Sequence, residues 1–348
     1  MYNMRYIGCK KLLLNDIENV INENIDDAET FCDIFSGTTV VAQNFKSRFK
    51  IISNDLLTFS YCIQKGIVES TQKPVFNKLS KALNINNPIS YFNSLTNEQL
   101  DKLPQSKRFC QNNYSPMGNR MYMTDENALK IDYIRNKIED WKTEGLVEDS
   151  EYYYLLASLI EAVPYISNIS GTYGAYNKWW DKRSLNKLEL KEFDILNNKK
   201  DNIAFNEDGI SLLSKISGDI LYVDPPYNNR QYCPNYHVLE TIATYDFPEL
   251  KGITGQRDYK NKKSSFCLKS TVLKSFDELV KLANFKHIIL SYSSEGLMSI
   301  NDIENTLKKY GEENTFKMYE IPYRRFKSRK GKVENNLKEL LFYIRKKA

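Results

Sequence analysis

Ile220-Leu221-Tyr222-Val223-Asp224-Pro225-Pro226-Tyr227 is the stretch that sets the architecture. Four consecutive apolar residues with no polar alternation are the pattern of a strand buried on both faces of a mostly parallel sheet. Two prolines end it at once, because proline fixes φ and lacks the N–H that a ladder needs. Asp224 and Tyr227 therefore stand at the carboxyl end of a strand, the edge where open α/β sheets bind ligands. A rigid acid beside an aromatic ring suits one task, holding a flat, amine-bearing ring by hydrogen bond and stacking. Pro-Pro after a strand is also compatible with a plain loop, so the rest of the chain has to decide.

Residues 31–36, Phe-Cys-Asp-Ile-Phe-Ser, read as a short buried strand, broken by Gly37 before a helix opens at Thr39. Residues 50–55 read as the next strand and end in Asp55. That is a βαβ unit, the start of a doubly wound sheet. Residues 11–24 place Leu12, Leu13, Ile17, Val20 and Ile21 on one helical side. From about residue 66 to about 200, Asn, Lys, Gln and Tyr become abundant and helical periodicity prevails, as in 128–141 and 152–163. Strand character returns at 202–206, 219–223, 287–292, 316–321 and 339–345. The expected organisation is an α/β domain of residues 1–65 and 200–348, interrupted by a mainly helical domain at 66–199.

The chain has 348 residues, 41% hydrophobic and 27% charged, ordinary for a soluble globular protein. No apolar stretch approaches the roughly 20 residues of a membrane span. Met1-Tyr2-Asn3-Met4-Arg5 leads into an amphipathic segment rather than a signal peptide, so a cytoplasmic protein is expected. Six scattered cysteines and two histidines form no zinc-type cluster, so neither a metal nor disulfides are expected. The net charge of +5 is mild, but residues 251–274 and 317–332 are strongly basic and carry interleaved aromatics. Two such runs point to a polyanion partner.

Asp33-Ile34-Phe35-Ser36-Gly37-Thr38 lies where the first strand turns into its helix. Glycine there lets backbone approach a ligand, and a helix N-terminus favours an anion. Asp55, some 20 residues on, is where α/β folds place the acid that grips a ribose diol, although such an acid also serves as a turn former. No P-loop and no full Gly-x-Gly-x-x-Gly are present. A nucleoside-bearing cofactor over the first two strands and an amine-bearing ring over Asp224 are the combination these positions specify.

Along essentially its whole length the chain resembles the Dam-like alpha group of S-adenosylmethionine-dependent DNA adenine-N6 methyltransferases, in the flavour of restriction–modification methylases. Tyr6-Ile7-Gly8-Cys9-Lys10 is similar to the family's Tyr-x-Gly-x-Lys motif, Phe35-Ser36-Gly37-Thr38 to Phe-x-Gly-x-Gly, Asn54-Asp55 to the ribose acid, and Asp208-Gly209-Ile210 to the acidic motif before the catalytic strand. Asp224-Pro225-Pro226-Tyr227 is similar to the catalytic motif. Tyr236-His237-Val238-Leu239-Glu240-Thr241, Leu290-Ser291-Tyr292-Ser293 and Tyr323-Arg324-Arg325-Phe326 resemble later motifs, and Gly171-Thr172-Tyr173-Gly174-Ala175-Tyr176 resembles the restriction–modification subgroup. One departure stands out: Thr39 replaces the second glycine of Phe-x-Gly-x-Gly.

The resemblance implies a Rossmann-like mixed seven-stranded sheet with an inserted target-recognition domain. It implies that Tyr6, Lys10, Asp33, Phe35, Ser36, Gly37, Asp55 and Asp208 bind S-adenosylmethionine, with Lys10 on the methionine carboxylate. Residues 224–227 would hold a flipped adenine. Double-stranded DNA would be the partner, contacted by Lys178, Lys182, Arg183, Arg257, Lys260, Lys262, Lys263, Arg324 and Arg325. A monomer, and a cognate endonuclease in the same system, are expected. RNA adenine, cytosine N4 or protein glutamine are other planar amines or amides, but their enzymes more often carry Ser or Asn at the position of Asp224. A decayed, inactive DNA-binding relative is the reading from another class; intact Gly37, Asp55, Asp224 and Tyr227 argue against it.

Overall fold

The computed structural model describes residues 6–322 and 338–347. Its strands are β1 (Thr30–Asp33), β2 (Lys50–Asn54), β3 (Ile203–Phe205), β4 (Ser217–Val223), β5 (Asn284–Ser293), β6 (Lys317–Pro322) and β7 (Lys338–Arg345). They form one mixed sheet of seven strands in the order β3-β2-β1-β4-β5-β7-β6. β1 to β5 pair in parallel. β7 is antiparallel to both β5 and β6. The seven expected strands and the α/β class are found, with boundaries moved by up to three residues, as where β5 begins at Asn284 rather than at residue 287. β1 ends at Asp33 rather than at residue 36, because Ser36 turns to donate its N–H to the Asn54 carbonyl (2.9 Å).

The unbroken apolar runs have a direct cause, since alternate residues of each central strand enter different cores. Phe31, Ile51, Ile220, Tyr222, Ile289 and Leu341 pack beneath α1 (Leu14–Asn24) and α2 (Val40–Phe45). Cys32, Leu221, Val223, Ile288, Leu290 and Phe342 face the other way, toward α12 (Val272–Leu282) and α13 (Ile300–Tyr310). Each such fully buried Leu, Ile or Phe contributes about 1.5–3 kcal/mol relative to exposure.

Between β2 and β3 the chain is helical: α3 (Thr58–Ile63), α4 (Asn77–Leu83), α5 (Pro88–Asn93), α6 (Asn97–Asp101), α7 (Phe109–Tyr114), α8 (Asp125–Thr143) and α9 (Asp149–Ile166). α3 continues directly into a π-helical segment, Gln64–Glu69. The two long helices are where periodicity placed them. After β3 come α10 (Gly209–Leu213) and, beyond the proline pair, α11 (Tyr232–Thr244). α3, α8, α9 and α11 share a third core around Phe59, Ile134, Trp141, Leu159 and Leu239.

α11 is the joint between the sheet and the helical region. Glu240, fully buried, accepts the backbone N–H groups of Thr58 (3.0 Å) and Phe59 (3.1 Å), closing the start of α3. Two residues on, the Ile242 carbonyl accepts from Arg135 of α8 (2.9 Å). Among the described residues no helix is long and apolar enough to cross a membrane, and no cluster of His, Cys, Asp and Glu that could hold a metal is present.

Candidate active site

Connections leave the sheet in opposite directions at β1 and β4, and ligands of open α/β sheets bind outside the carboxyl ends at such a switch point. A solvent-open cleft of about 920 Å³ lies there. All eight cofactor positions expected from sequence line it, namely Tyr6, Lys10, Asp33, Phe35, Ser36, Gly37, Asp55 and Asp208. Asp224 and Pro226 line it too. Pro225, between them in sequence, is buried. Tyr227 is held by its carbonyl, which accepts the Leu297 N–H (2.9 Å) from the segment after β5.

Gly37 makes the turn after β1. Its φ is +50°, and a Cβ there would stand 3.0 Å from the Tyr6 ring. Its N–H donates to Asp55 Oδ2 (2.8 Å), while Asp55 Oδ1 accepts the Leu57 N–H (2.8 Å). Burial pushes the Asp55 carboxyl up to about 6, with the Leu57 and Gly37 amides opposing. Thr39, which stands where the family's second glycine would, takes a left-handed φ of +64°. A β-branched residue is a genuine outlier there. Its Oγ1 accepts from Gln43 Nε2 (2.7 Å).

Asp33 is the one carboxylate in the cleft with both oxygens buried and unpartnered among the described residues. The neighbouring Ser36 hydroxyl is engaged elsewhere, donating to the Asp33 carbonyl (2.8 Å). Burial, then Asp224 and Asp55, raise the Asp33 carboxyl to about 8, and the nearby Ser36 hydroxyl and Ala42 N–H oppose this weakly without meeting hydrogen-bond geometry. A buried, unsatisfied acid is costly, and a cationic amino group would satisfy it. Phe35 supplies an aromatic wall, edge-on to Phe266 at 5.4 Å. It fits because Gly209 has no Cβ, which would otherwise come within 3.2 Å of the ring. Asp208 sits at the exposed rim and caps α10 through the Ser211 N–H (3.0 Å). Tyr6 stacks on Tyr236 of α11 (4.5 Å, 22°).

Lys10 lines the cleft between two acids. Its Nζ, buried, lies 3.1 Å from Asp224 Oδ1 and 3.4 Å from Glu339 Oε2, so its charge is already committed to two carboxylates. Burial pulls the ammonium's pKa down, but Asp224 and Glu339 outweigh it and the net is upward. Burial raises the Asp224 carboxyl to about 6, with Lys10 opposing and Glu339 reinforcing. Sequence reasoning missed Glu339. Its only signal was an acid at the first position of an otherwise apolar strand.

The basic positions divide. Lys178, Lys182, Lys260 and Lys263 are exposed. Arg183 is half-buried and donates to the Ser167 carbonyl (3.2 Å). Arg257 forms a two-point pair with Asp246 (3.1 and 2.6 Å). Lys262 points into the cleft edge and donates to the Leu56 carbonyl (2.6 Å) and Thr58 Oγ1 (3.2 Å). Arg324 and Arg325 lie outside the described residues. The Gly171–Tyr176 motif docks on α11: the Tyr173 N–H donates to the Asn235 carbonyl (2.7 Å), and the Tyr173 carbonyl lies 3.0 Å from His237 Nε2.

A family model for D12 class N6 adenine-specific DNA methyltransferases matches residues 6–306. The chain is 51% identical over 346 residues to the type II methyltransferase M.FokI of Planomicrobium okeanokoites, covering 99% of this chain and 53% of that protein. It is 46% identical over 345 residues to the modification methylase StsI of Streptococcus sanguinis, covering 99% and 52%. It is 37% identical over 351 residues to the type II methyltransferase M.CviAII of Paramecium bursaria Chlorella virus 1, covering 99% of both. The chain thus spans about half the length of the first two relatives and nearly all of the third.

Proposed function

The chain belongs to the D12 class N6 adenine-specific DNA methyltransferase family, and from that premise we propose that it methylates the N6 amine of adenine in double-stranded DNA. The observation that carries the reading is the convergence of Asp224 with Asp33, Gly37 and Asp55 in one cleft at the sheet's switch point.

The cleft's acidic and aromatic side chains suit S-adenosylmethionine, which when bound supplies a methyl group on a sulfonium leaving group. The unpartnered Asp33 carboxylate would take its amino group, Asp55 its ribose hydroxyls, and Phe35 would pack on it. Lys10 is engaged with Asp224 and Glu339, and of its three N–H donors one remains for the methionine carboxylate.

The amine of adenine is a poor nucleophile because its lone pair is delocalised into the ring. Asp224 accepts one amine N–H and the Pro225 carbonyl the other, drawing nitrogen toward a tetrahedral geometry with its lone pair free. Alignment of this kind is worth about 7–11 kcal/mol of barrier. Asp224 also stabilises the positive charge that grows on nitrogen and can accept the proton that leaves. Tyr227 offers a stacking face to a base that has left the duplex, an extrusion costing a few kcal/mol.

Target recognition is assigned to residues 66–199, with Lys178, Lys182, Lys260 and Lys263 on phosphates. A monomer in the cytoplasm, protecting DNA from a cognate endonuclease, completes the reading. The test is transfer of labelled methyl to duplex DNA, recovered as N6-methyladenine. Asp224→Ala should abolish transfer while retaining S-adenosylmethionine binding. Label confined to RNA or protein would overturn the substrate assignment.

A further inference from the structure

Glu339 is the first inward-facing residue of β7, whose register pairs it with Ser293 of β5. β7 alone runs against the parallel strands, so its beginning, rather than its end, reaches the edge that carries Asp224. A parallel strand in that slot would have delivered its last residue instead. The reversal therefore puts a buried carboxylate 3.4 Å from Lys10 Nζ, on an ammonium that also lies 3.1 Å from Asp224.

We propose that Glu339 is a positioning residue for the methyl transfer inferred above: it shares the Lys10 ammonium with Asp224 and leaves the group with a net negative charge facing the amine. A Lys10–Asp224 pair alone would be neutral, and would offer little field to the cation developing on nitrogen. Two carboxylates around one ammonium sum to −1, fixed in place before the reaction, which is the arrangement that stabilises developing positive charge. Sharing also keeps Lys10, with three N–H donors, from saturating Asp224, whose oxygens must accept an amine hydrogen. Among the described residues, the other ionisable groups facing Asp224 are Asp33 from β1, Tyr6 from the N-terminal segment, Tyr222 on β4 and Tyr232 on α11, while Tyr227 faces Lys10. Among the described residues facing Asp224 only Lys10 is cationic, so within them the balance between it and the acids is set largely by Glu339. The Asp224 carboxyl is raised by Glu339 and lowered by Lys10, which gives the two substitutions opposite signatures.

The inference rests on the proposed adenine methylation, and the experiment separates the two. Single-turnover methylation of duplex DNA is measured from pH 5 to 9 for the wild type, Glu339→Gln, Glu339→Asp and Lys10→Met. Glu339→Gln should lower the rate by about tenfold or more, with S-adenosylmethionine and DNA affinities unchanged. Its acid limb should move to lower pH, while that of Lys10→Met moves to higher pH. Glu339→Asp, which keeps the charge, should recover part of the rate. A Glu339→Gln rate that falls with an unmoved acid limb, or falls only in proportion to unfolded protein, assigns Glu339 a structural role and overturns the proposal. Carbon-13 titration of the Asp224 carboxyl reads the coupling without turnover. A wild type that leaves DNA unmethylated, with the Asp224 titration still moving downward in Glu339→Gln, overturns the functional reading and keeps the coupling. An Asp224 titration that does not move overturns the coupling whatever the activity.

Discussion

Asp55 accepts the backbone N–H of Gly37 at 2.8 Å, so the acid that follows β2 braces the glycine turn that follows β1. Its other oxygen is held by the Leu57 N–H. An ionised carboxylate has about four acceptor sites, so two remain for a ribose diol while the turn stays braced. Asp55→Asn replaces one accepting oxygen by a donor and removes the charge. A charge-assisted hydrogen bond is worth about 1.5–3 kcal/mol, so binding of S-adenosylmethionine should weaken by tenfold or more in calorimetry. A lowered melting temperature with unchanged affinity would restrict Asp55 to bracing.

Gly37 and Asp55 were each legible in sequence, because a strand that stops at a glycine or an acid is a local pattern. Their bond to each other was not, since it depends on the register between β1 and β2. Glu339 was hidden for the same reason on a larger scale, lying 329 positions from Lys10. The roles of Lys262 and Arg257 were equally invisible: composition marks a basic run, but only packing shows that one cation holds backbone at the cleft and the other holds Asp246. In the helical region, α8 and α9 span 19 and 18 residues, long enough to be read as helices although they are buried on most sides. α4 to α7 span only 5 to 7 residues, at most about two turns, too short for a hydrophobic repeat to declare itself.

Thr39 holds a conformation that glycine adopts without strain. Backbone strain of this kind costs about 1–3 kcal/mol. The opposing terms are the buried Thr39 side chain and its bond from Gln43. Thr39→Gly is expected to hold or raise the melting temperature of the ligand-free protein. Gly37→Ala should lower it, because an L-residue in the left-handed region costs about 1–2 kcal/mol and the added Cβ crowds Tyr6. Thermal unfolding of the two variants decides. A larger loss for Thr39→Gly than for Gly37→Ala would show that the Gln43 contact outweighs the strain.

Asp33 should make the ligand-free protein less stable as pH rises. Its folded pKa of about 8 lies above the ordinary 3.8, so the folded state holds a proton that the unfolded chain has lost. The stability this proton supplies is complete below about pH 4 and is lost as pH rises through about 8. Asp55 and Asp224, each raised to about 6, act in the same direction but finish earlier. Between pH 6.5 and 8.5 the melting temperature should fall, and Asp33→Asn should flatten that fall. The same variant should bind S-adenosylmethionine more weakly, because the acid that meets the amino group is gone. A pH slope identical to that of the wild type would remove Asp33 as its source.

The division among the basic residues predicts two kinds of variant. Lys178, Lys182, Lys260 and Lys263 are exposed cations, and phosphate contacts release counterions when they form. Alanine at any one that touches phosphate should weaken binding to all DNA sequences alike and reduce the salt slope of the logarithm of affinity by about 1. Arg257 is different. Its side chain is 11% exposed and bound at two points by Asp246, so Arg257→Ala should lower the melting temperature and leave the salt slope near that of the wild type. Fluorescence anisotropy with labelled duplex, repeated from 50 to about 300 mM salt, separates the two classes. A slope lost at Arg257 and kept at all four lysines would reverse the assignment, and would mean that the Arg257–Asp246 pair opens to take a phosphate.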